Sequence, residues 1–213
     1  IVFAQTDVSL KHKGILAFIV ETKSEGFSVM SKEKKLGIRA SDTAQLALDN
    51  VRVPAANQLG PAGAGFKVAM STLDGGRIGI ASQALGIAKA ALEAATEYAK
   101  QREQFGKPIA RFQAIQWKIA EMAMRYDAAR LLTLRAADMK DRGERYGEQA
   151  AMAKLFASEA AQRVASTCID LHGGYGFTKE YPVAKLYRDA KIGTIYEGTS
   201  NMQKQTIAKA LLR

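Results

Sequence analysis

Over the first 54 residues the apolar positions come in short runs, and beyond residue 65 they recur every three or four places. Ile15 to Val20 is a continuous apolar run, Phe27 to Met30 is a second strand-like stretch, and Leu46, Leu48, Val51 and Val53 are spaced for a sheet with a break near Asp49-Asn50. Gly14, Gly26, Gly37 and Pro54 punctuate these runs. The pattern predicts a small antiparallel sheet, too short to close a barrel of its own.

The loop Gly60-Pro-Ala-Gly-Ala-Gly65 ends this region, and a helical period follows. One helix is predicted from about Phe66 to Arg102, with Ala81, Leu85, Ala88 and Leu92 along one stripe. The next covers about Gln113 to Arg142, with Ile115, Ile119, Met122 and Tyr126 at spacings of four and three, and stops near Gly143. A third covers roughly Gly147 to Leu171 and ends at Gly173-Gly174. A short helix near Tyr181 to Ala190 and a last one from about Ser200 to Leu212 complete the set. Such short connections between long helices favour an antiparallel bundle.

Composition narrows the function classes. With 47% hydrophobic and 24% charged residues among 213, and only four prolines, the chain reads as globular. Its formal charge of +10 would attract nucleic acid, an anionic membrane or a phosphate-bearing ligand. A nucleic-acid reading lacks support, because the aromatics form no stacking platform and no helix carries clustered arginines. The single cysteine, Cys168, lies in the apolar run Val164 to Leu171 and is expected to be a buried, inert thiol in a reducing compartment. No run approaches the ~20 apolar residues of a membrane span. Ile1 already stands inside a strand-like segment, so the chain reads as the latter part of a longer polypeptide. His12 and His172 have no partners at metal spacing, and no nucleophile elbow is present.

Three segments carry candidate chemistry. In Leu73-Asp-Gly-Gly-Arg77 two glycines admit close backbone approach beside an arginine, which suits an anion loop or, equally, a helix irregularity with a surface arginine. In Ile195-Tyr-Glu-Gly-Thr-Ser200, Glu197 stands between an aromatic and a glycine, just before Ser200-Asn-Met-Gln203, which fits a capping box. A desolvated carboxylate there would be a raised-pKa base reached past Gly198, and the helix start offers N–H groups to an anion. The alternative is a first-turn glutamate that complements the helix dipole. In Arg102-Glu-Gln-Phe-Gly-Lys-Pro108, Arg102 matches a pyrophosphate and Phe105 can cover a ring, or the arginine simply ends a helix in solvent.

Taken together, these segments resemble the acyl-CoA dehydrogenase family, most closely its short-chain (butyryl-CoA) members. The resemblance rests on Lys35-Leu-Gly-Ile-Arg-Ala-Ser41, Gly65-Phe-Lys-Val-Ala-Met70, Leu73 to Ala88, Arg102 to Pro108, Phe112-Gln113, Gly173-Gly-Tyr-Gly-Phe177, Tyr187-Arg-Asp189 and Ile195-Tyr-Glu-Gly-Thr-Ser200. It implies an α+β chain: the C-terminal part of an antiparallel β domain over residues 1–58, then an all-α four-helix bundle over residues 59–213. The earlier helical domain and early β segments of the family have no counterpart in it.

The resemblance implies FAD-dependent α,β-dehydrogenation of a short-chain acyl-CoA thioester. Glu197 would remove the α-proton while the β-hydrogen leaves as hydride to flavin N5. Asp74, Gly75, Gly76, Arg77 and Gly198 would line the acyl-CoA site. Thr199, Ser200 and Asn201 would meet FAD within the subunit, whereas Arg102, Phe105, Gln113 and the stretch Asp170, Leu171, His172, Gly173 and Gly174 would serve the FAD of a neighbouring subunit. Electron-transfer flavoprotein as acceptor, a homotetramer, no metal, and a bacterial cytoplasmic or mitochondrial matrix location are the further implications. The family usually has glutamine at Asp170, leucine at His172 and glutamate or glutamine at Asn201. An aspartate facing a dinucleotide costs affinity unless paired. An acyl-CoA oxidase or a catalytically idle scaffold would share the same segments.

Overall fold

A computed structural model describes residues 1–212 and divides into two compact units, the first made of residues 1–35 and 39–73 and the second of 36–38 and 74–212. The division falls inside a continuous helix.

In the first unit the apolar runs pair as two separate hairpins, where a single small sheet was expected. Strand β1 (Val2–Gln5) lies antiparallel to β2 (Ile15–Phe18), with Phe3 opposite Ala17. Strand β3 (Phe27–Lys32) lies antiparallel to β4 (Ala44–Leu48), with a register shift between Val29 and Ser31. β4 ends at Leu48, so Val51 and Val53 fall outside it. The lysine-rich stretch ahead of β2 forms a 3-10 turn, Val8–Gly14, whose Asp7 cap accepts from the Ser9 N–H at 2.8 Å. Residues 57–59 add to the free edge of β2, with the Leu59 N–H donating to the Ala17 carbonyl at 2.8 Å.

The second unit is a helical bundle. Helix α1 (Gly65–Gln101) is followed by a minimal hairpin of β5 (Glu103–Gln104) and β6 (Lys107–Pro108), with Phe105 and Gly106 both at positive φ in the turn. Then come α2 (Gln113–Asp141), α3 (Gly147–His172), a 3-10 turn at Gly173–Phe177, α4 (Val183–Ala190) and α5 (Ser200–Leu211). The expected helices are present, each end lying within two residues of its predicted place.

Alanine dominates the core. Ala81, Ala84, Ala88, Ala91 and Ala95 form the buried stripe of α1, at alternating spacings of three and four. Met122, Ala129 and Ala136 repeat every seven residues on α2, the seam geometry of bundle helices. α3 is buried on several faces and runs through the middle of the cluster. Contacts between α1 and α3 keep one order: Asp74 borders Gly147, Cys168 lies against the Ala95 backbone, and the Tyr98 hydroxyl donates to the His172 carbonyl. The two helices therefore run parallel, with α2 returning between them.

Residues 36–38 join this unit because the Ile38 N–H donates to Asp189 Oδ1 of α4 at 2.7 Å, and Asp189 is also paired with Lys185 at 2.5 Å. Trp117, Met124 and Leu131 stand exposed at seven-residue spacing on α2. No described helix is long and apolar enough to cross a membrane.

An alanine seam leaves no room for growth. Ala95→Leu, at a fully buried position on α1, should cost about 1–3 kcal/mol by overpacking. Chemical unfolding followed by circular dichroism would show it, and an unchanged midpoint would mean that the seam is slack.

Candidate active site

Helix α1 passes unbroken through Leu73–Arg77, so the glycine pair there is neither a loop nor an interruption. What the glycines provide is room. A Cβ at Gly76 would stand 2.5 Å from Oε2 and 2.9 Å from the carboxyl carbon of Glu197. The carboxylate thus rests on bare helix backbone.

Glu197 reaches that place from a strained turn. Its φ is +53° and that of Gly198 is +87°, two successive left-handed residues between the 3-10 turn Lys191–Thr194 and α5. For a non-glycine residue this conformation costs about 1–3 kcal/mol and persists only where the surroundings enforce it. Two side chains do so. Gln203 of α5 donates through Nε2 to the carbonyls of Glu197 at 3.0 Å and Gly198 at 2.9 Å. Lys154 of α3, fully buried, donates to the Gly198 carbonyl at 2.6 Å.

Around the carboxylate the charges balance. Asp74 and Arg77 form an ion pair at 2.7 Å along α1, and Lys154 supplies a second cation. Burial lowers the Lys154 pKa from its ordinary value, with the nearby Arg77 charge adding to the depression and Glu197 opposing it. Glu197 Oε2, Arg77 Nε and Gln203 Oε1 are all buried without a hydrogen-bond partner. The predicted aromatic surroundings are replaced by this polar cluster. Tyr196 donates its hydroxyl to Gln83 of α1, and its phenol pKa is raised, chiefly by burial and then by the Glu197 charge.

The entry to α5 also differs from expectation. Thr199 is the cap, accepting from the Met202 N–H at 3.4 Å, and Ser200 is the first helical residue. The Ser200–Gln203 capping box does not form, because Gln203 turns back to the strained carbonyls. Glu197, two residues ahead of the cap, is no first-turn glutamate. Thr199 and Asn201 are exposed at the helix start and Ser200 is half-buried.

The other predicted residues gather at the far ends of α1 and α3. A groove of about 440 Å³ is lined by Arg102, Gln104, Asp170, Leu171, His172, Gly173 and Gly174 with Tyr98 and Tyr175. The His172 ring is buried, stacks on Tyr98 at 4.1 Å and donates through Nδ1 to the Cys168 carbonyl at 2.8 Å. Tyr181 packs edge-on to both rings. The Arg102 guanidinium lies 5.6 Å above the Tyr175 ring. A side chain added at Gly173 or Gly174 would meet nothing within 4 Å, so their backbone is open to a ligand. Burial pushes the Cys168 thiol up to about 12, leaving it inert.

Phe105 and Gln113 do not join that groove. Phe105 stands 93% exposed at the hairpin tip, edge-on to Phe112, and Gln113 is exposed at the start of α2. Lys154 was not singled out from sequence, and Gln203 was read only as part of a capping box. A lone lysine amid Ala150-Ala-Met-Ala and Leu-Phe-Ala157 was a signal for the first. Among the described residues no three of His, Cys, Asp and Glu gather as a metal site.

Two chemistries follow from these arrangements. A buried carboxylate with an unpartnered oxygen, set on bare helix backbone, can take a proton from a carbon acid brought to it. An arginine beside open glycine backbone can hold a pyrophosphate.

Comparison with known proteins places the chain in a family. Residues 63–212 match the family model described as acyl-CoA dehydrogenase, C-terminal domain. The short-chain specific acyl-CoA dehydrogenase of Megasphaera elsdenii is 53% identical over 213 residues, covering 100% of this chain and 56% of that protein. The structure of butyryl-CoA dehydrogenase from the same organism superposes with a TM-score of 0.98 at 53% identity, over 100% of this chain and 55% of that one. A chain in the structure of the electron transferring flavoprotein of Acidaminococcus fermentans, concerned with flavin-based electron bifurcation, gives 0.98 at 50% identity, over 100% and 56%. The chain therefore spans little more than half the length of these relatives.

Gly76→Ala tests the contact on which the site rests. Alanine gains about 1 kcal/mol over glycine in a helix, but its Cβ must displace the Glu197 carboxylate. The variant should stay within about 1 kcal/mol of the parent in stability while a crystal structure shows the carboxylate moved. A carboxylate found in place would refute the close packing.

Proposed function

The chain belongs to the acyl-CoA dehydrogenase family, and from that premise we propose that it supplies the base and the cofactor contacts for FAD-dependent α,β-dehydrogenation of a short-chain acyl-CoA thioester. The observation that carries this reading is the half-buried Glu197, whose carboxylate oxygen Oε2 is buried and unpartnered against the Gly76 backbone.

In this reading the acyl chain enters past the turn of α1 formed by Asp74, Gly75, Gly76 and Arg77, and Glu197 takes the α-proton onto its carboxylate. An α-proton of a thioester is too weakly acidic for a carboxylate unless donors hold the thioester oxygen as charge develops. The backbone N–H of Glu197 is the donor we assign from this chain, fixed by the same turn that Gln203 and Lys154 clamp. Gly198 keeps the approach to it open. Bound FAD supplies the acceptor for the departing β-hydride.

The residues present suit that cofactor. Thr199, Ser200 and Asn201 border the start of α5, whose N–H groups favour an anionic or polar group, close to Glu197. Arg102 and the open backbone of Gly173 and Gly174 suit a pyrophosphate, whereas the exposed Asp170 opposes one. These two sets lie beside Gly76 and beside the end of α1, roughly 39 Å apart at 1.5 Å per residue. Such a separation supports their serving different flavins, with Arg102, Gln113 and Asp170 to Gly174 offered to a neighbouring subunit. The exposed Trp117, Met124 and Leu131 on α2 fit a homo-oligomer, read here as a tetramer. Electron-transfer flavoprotein is the acceptor we assign, by analogy with the similar chain in the Acidaminococcus structure.

The deciding experiment adds butyryl-CoA anaerobically to the flavin-loaded full-length protein and follows bleaching of the flavin band. Glu197→Gln should keep FAD and acyl-CoA binding but slow bleaching by at least ~10²–10⁴-fold, the usual worth of a general base. Near-parental bleaching would move the base elsewhere. Arg102→Ala should lower the flavin retained after gel filtration, since a charge-assisted contact is lost. Undiminished flavin content would remove Arg102 from the cofactor site.

A further inference from the structure

Lys154 is the most unusual side chain in the bundle. It is fully buried on α3 between the core alanines Ala153 and Ala157, where a charged group survives only if it is paired. Its hydrogen bond goes to the Gly198 carbonyl at 2.6 Å. That carbonyl already accepts from Gln203 Nε2 at 2.9 Å, so the lysine is not needed to satisfy it. A methionine there would fill a similar volume without the desolvation cost of the ammonium. A purely structural account of Lys154 is therefore weak.

Its surroundings point to another role. The carbonyl it holds follows directly on Glu197, the residue in the strained left-handed conformation, and its ammonium lies close enough to the Glu197 carboxylate for the two charges to act on each other. We propose that Lys154 is a positioning residue for the Glu197 base: its ammonium clamps the Gly198 carbonyl, holds the strained turn and places a fixed positive charge beside the carboxylate. This rests on the reading of Glu197 as the base.

The groups facing that carboxylate can be named element by element. Arg77 comes from α1 with its charge engaged by Asp74, Lys154 from α3, and the neutral Gln203 from α5. Lys140 of α2 reaches only the Gly75 side of α1, and the Tyr196 phenol is bound to Gln83. With Arg77 paired, Lys154 is the cation that can favour the ionised carboxylate directly. Removing it should release the turn that sets the carboxylate against Gly76.

The test is Lys154→Met in the flavin-loaded full-length protein, with butyryl-CoA as substrate. The expected result is retained circular dichroism and flavin content, a KM within about threefold of the parent, and a kcat lower by about 10²-fold or more. A parental kcat would overturn the proposal. Should Lys154→Met not fold, Lys154→Gln is read in the same way, and loss of the fold in both would overturn it in favour of a structural lysine. If the parent protein itself fails to bleach with butyryl-CoA, the reading of the site has failed; a parental protein that bleaches beside an unimpaired Lys154→Met shows that the lysine inference alone is wrong.

Discussion

Everything at the functional end of this chain depends on the order in which α1 and α3 lie along each other. Alanine lines the contact from both sides: Ala81 to Ala95 of α1 share one buried cluster with Ala153 to Ala165 of α3. Each contact contributes little by area, since an alanine methyl is small. The gain lies in density, because packing at this range sums many dispersion contacts and tolerates no added volume. Since the two helices run parallel, the start of α3 lies against α1 nine residues in from its own start, and their ends lie together. Asp74, Gly76 and Arg77 come beside Gly147 and Lys154, and the end of α1 brings Tyr98 and Arg102 beside Asp170 to Gly174.

At the first of these ends the structure holds several costs at once: a glutamate at positive φ, a fully buried lysine, and three buried polar atoms without partners. A sequence shaped for stability alone would remove each of them. They are adjacent to one another, and the rigid seam beside them is what can bear the total. Strain concentrated in one cluster and supported by dense packing is the pattern expected where a carboxylate must be held short of full solvation until a ligand arrives.

How much of this was legible in the sequence depended on whether the signal was local. The helices announced themselves because their apolar positions repeat within each helix, and Glu197 stood out from its chain neighbours Tyr196 and Gly198, although its setting is built by Gly76, Lys154 and Gln203 from other helices. The strands were harder. Which run pairs with which is a long-range choice, so the expected single sheet became two hairpins, and Val51 and Val53 proved to lie beyond β4. Ser200–Gln203 spelled a capping box, but Gln203 has a better use on the Glu197 and Gly198 carbonyls, and the cap moved to Thr199. Lys154 could not be assigned from its own segment. Its partner lies 44 residues away, and only the parallel docking of α3 on α1 shows that the two meet.

The same parallel docking bears on assembly. Each chain carries the Glu197 cluster about a third of the way along a 37-residue helix and a basic, aromatic-walled groove at that helix's end. On the proposed reading the roughly 39 Å of helix between them puts each in a different cofactor site. A groove assigned to a neighbour's flavin is incomplete by itself, which accounts for its shape: shallow, with Arg102, Asp170 and both glycines exposed. His172 fits this picture as a wall and not as a ligand, because its stacking on Tyr98 and its Nδ1 bond to Cys168 are already made within the chain. Asp170 is the exception, a negative charge on the rim of a site read as taking phosphate. Arg102 lines the same groove, so the two charges can offset one another, and the departure at this position would weaken cofactor retention without abolishing the site.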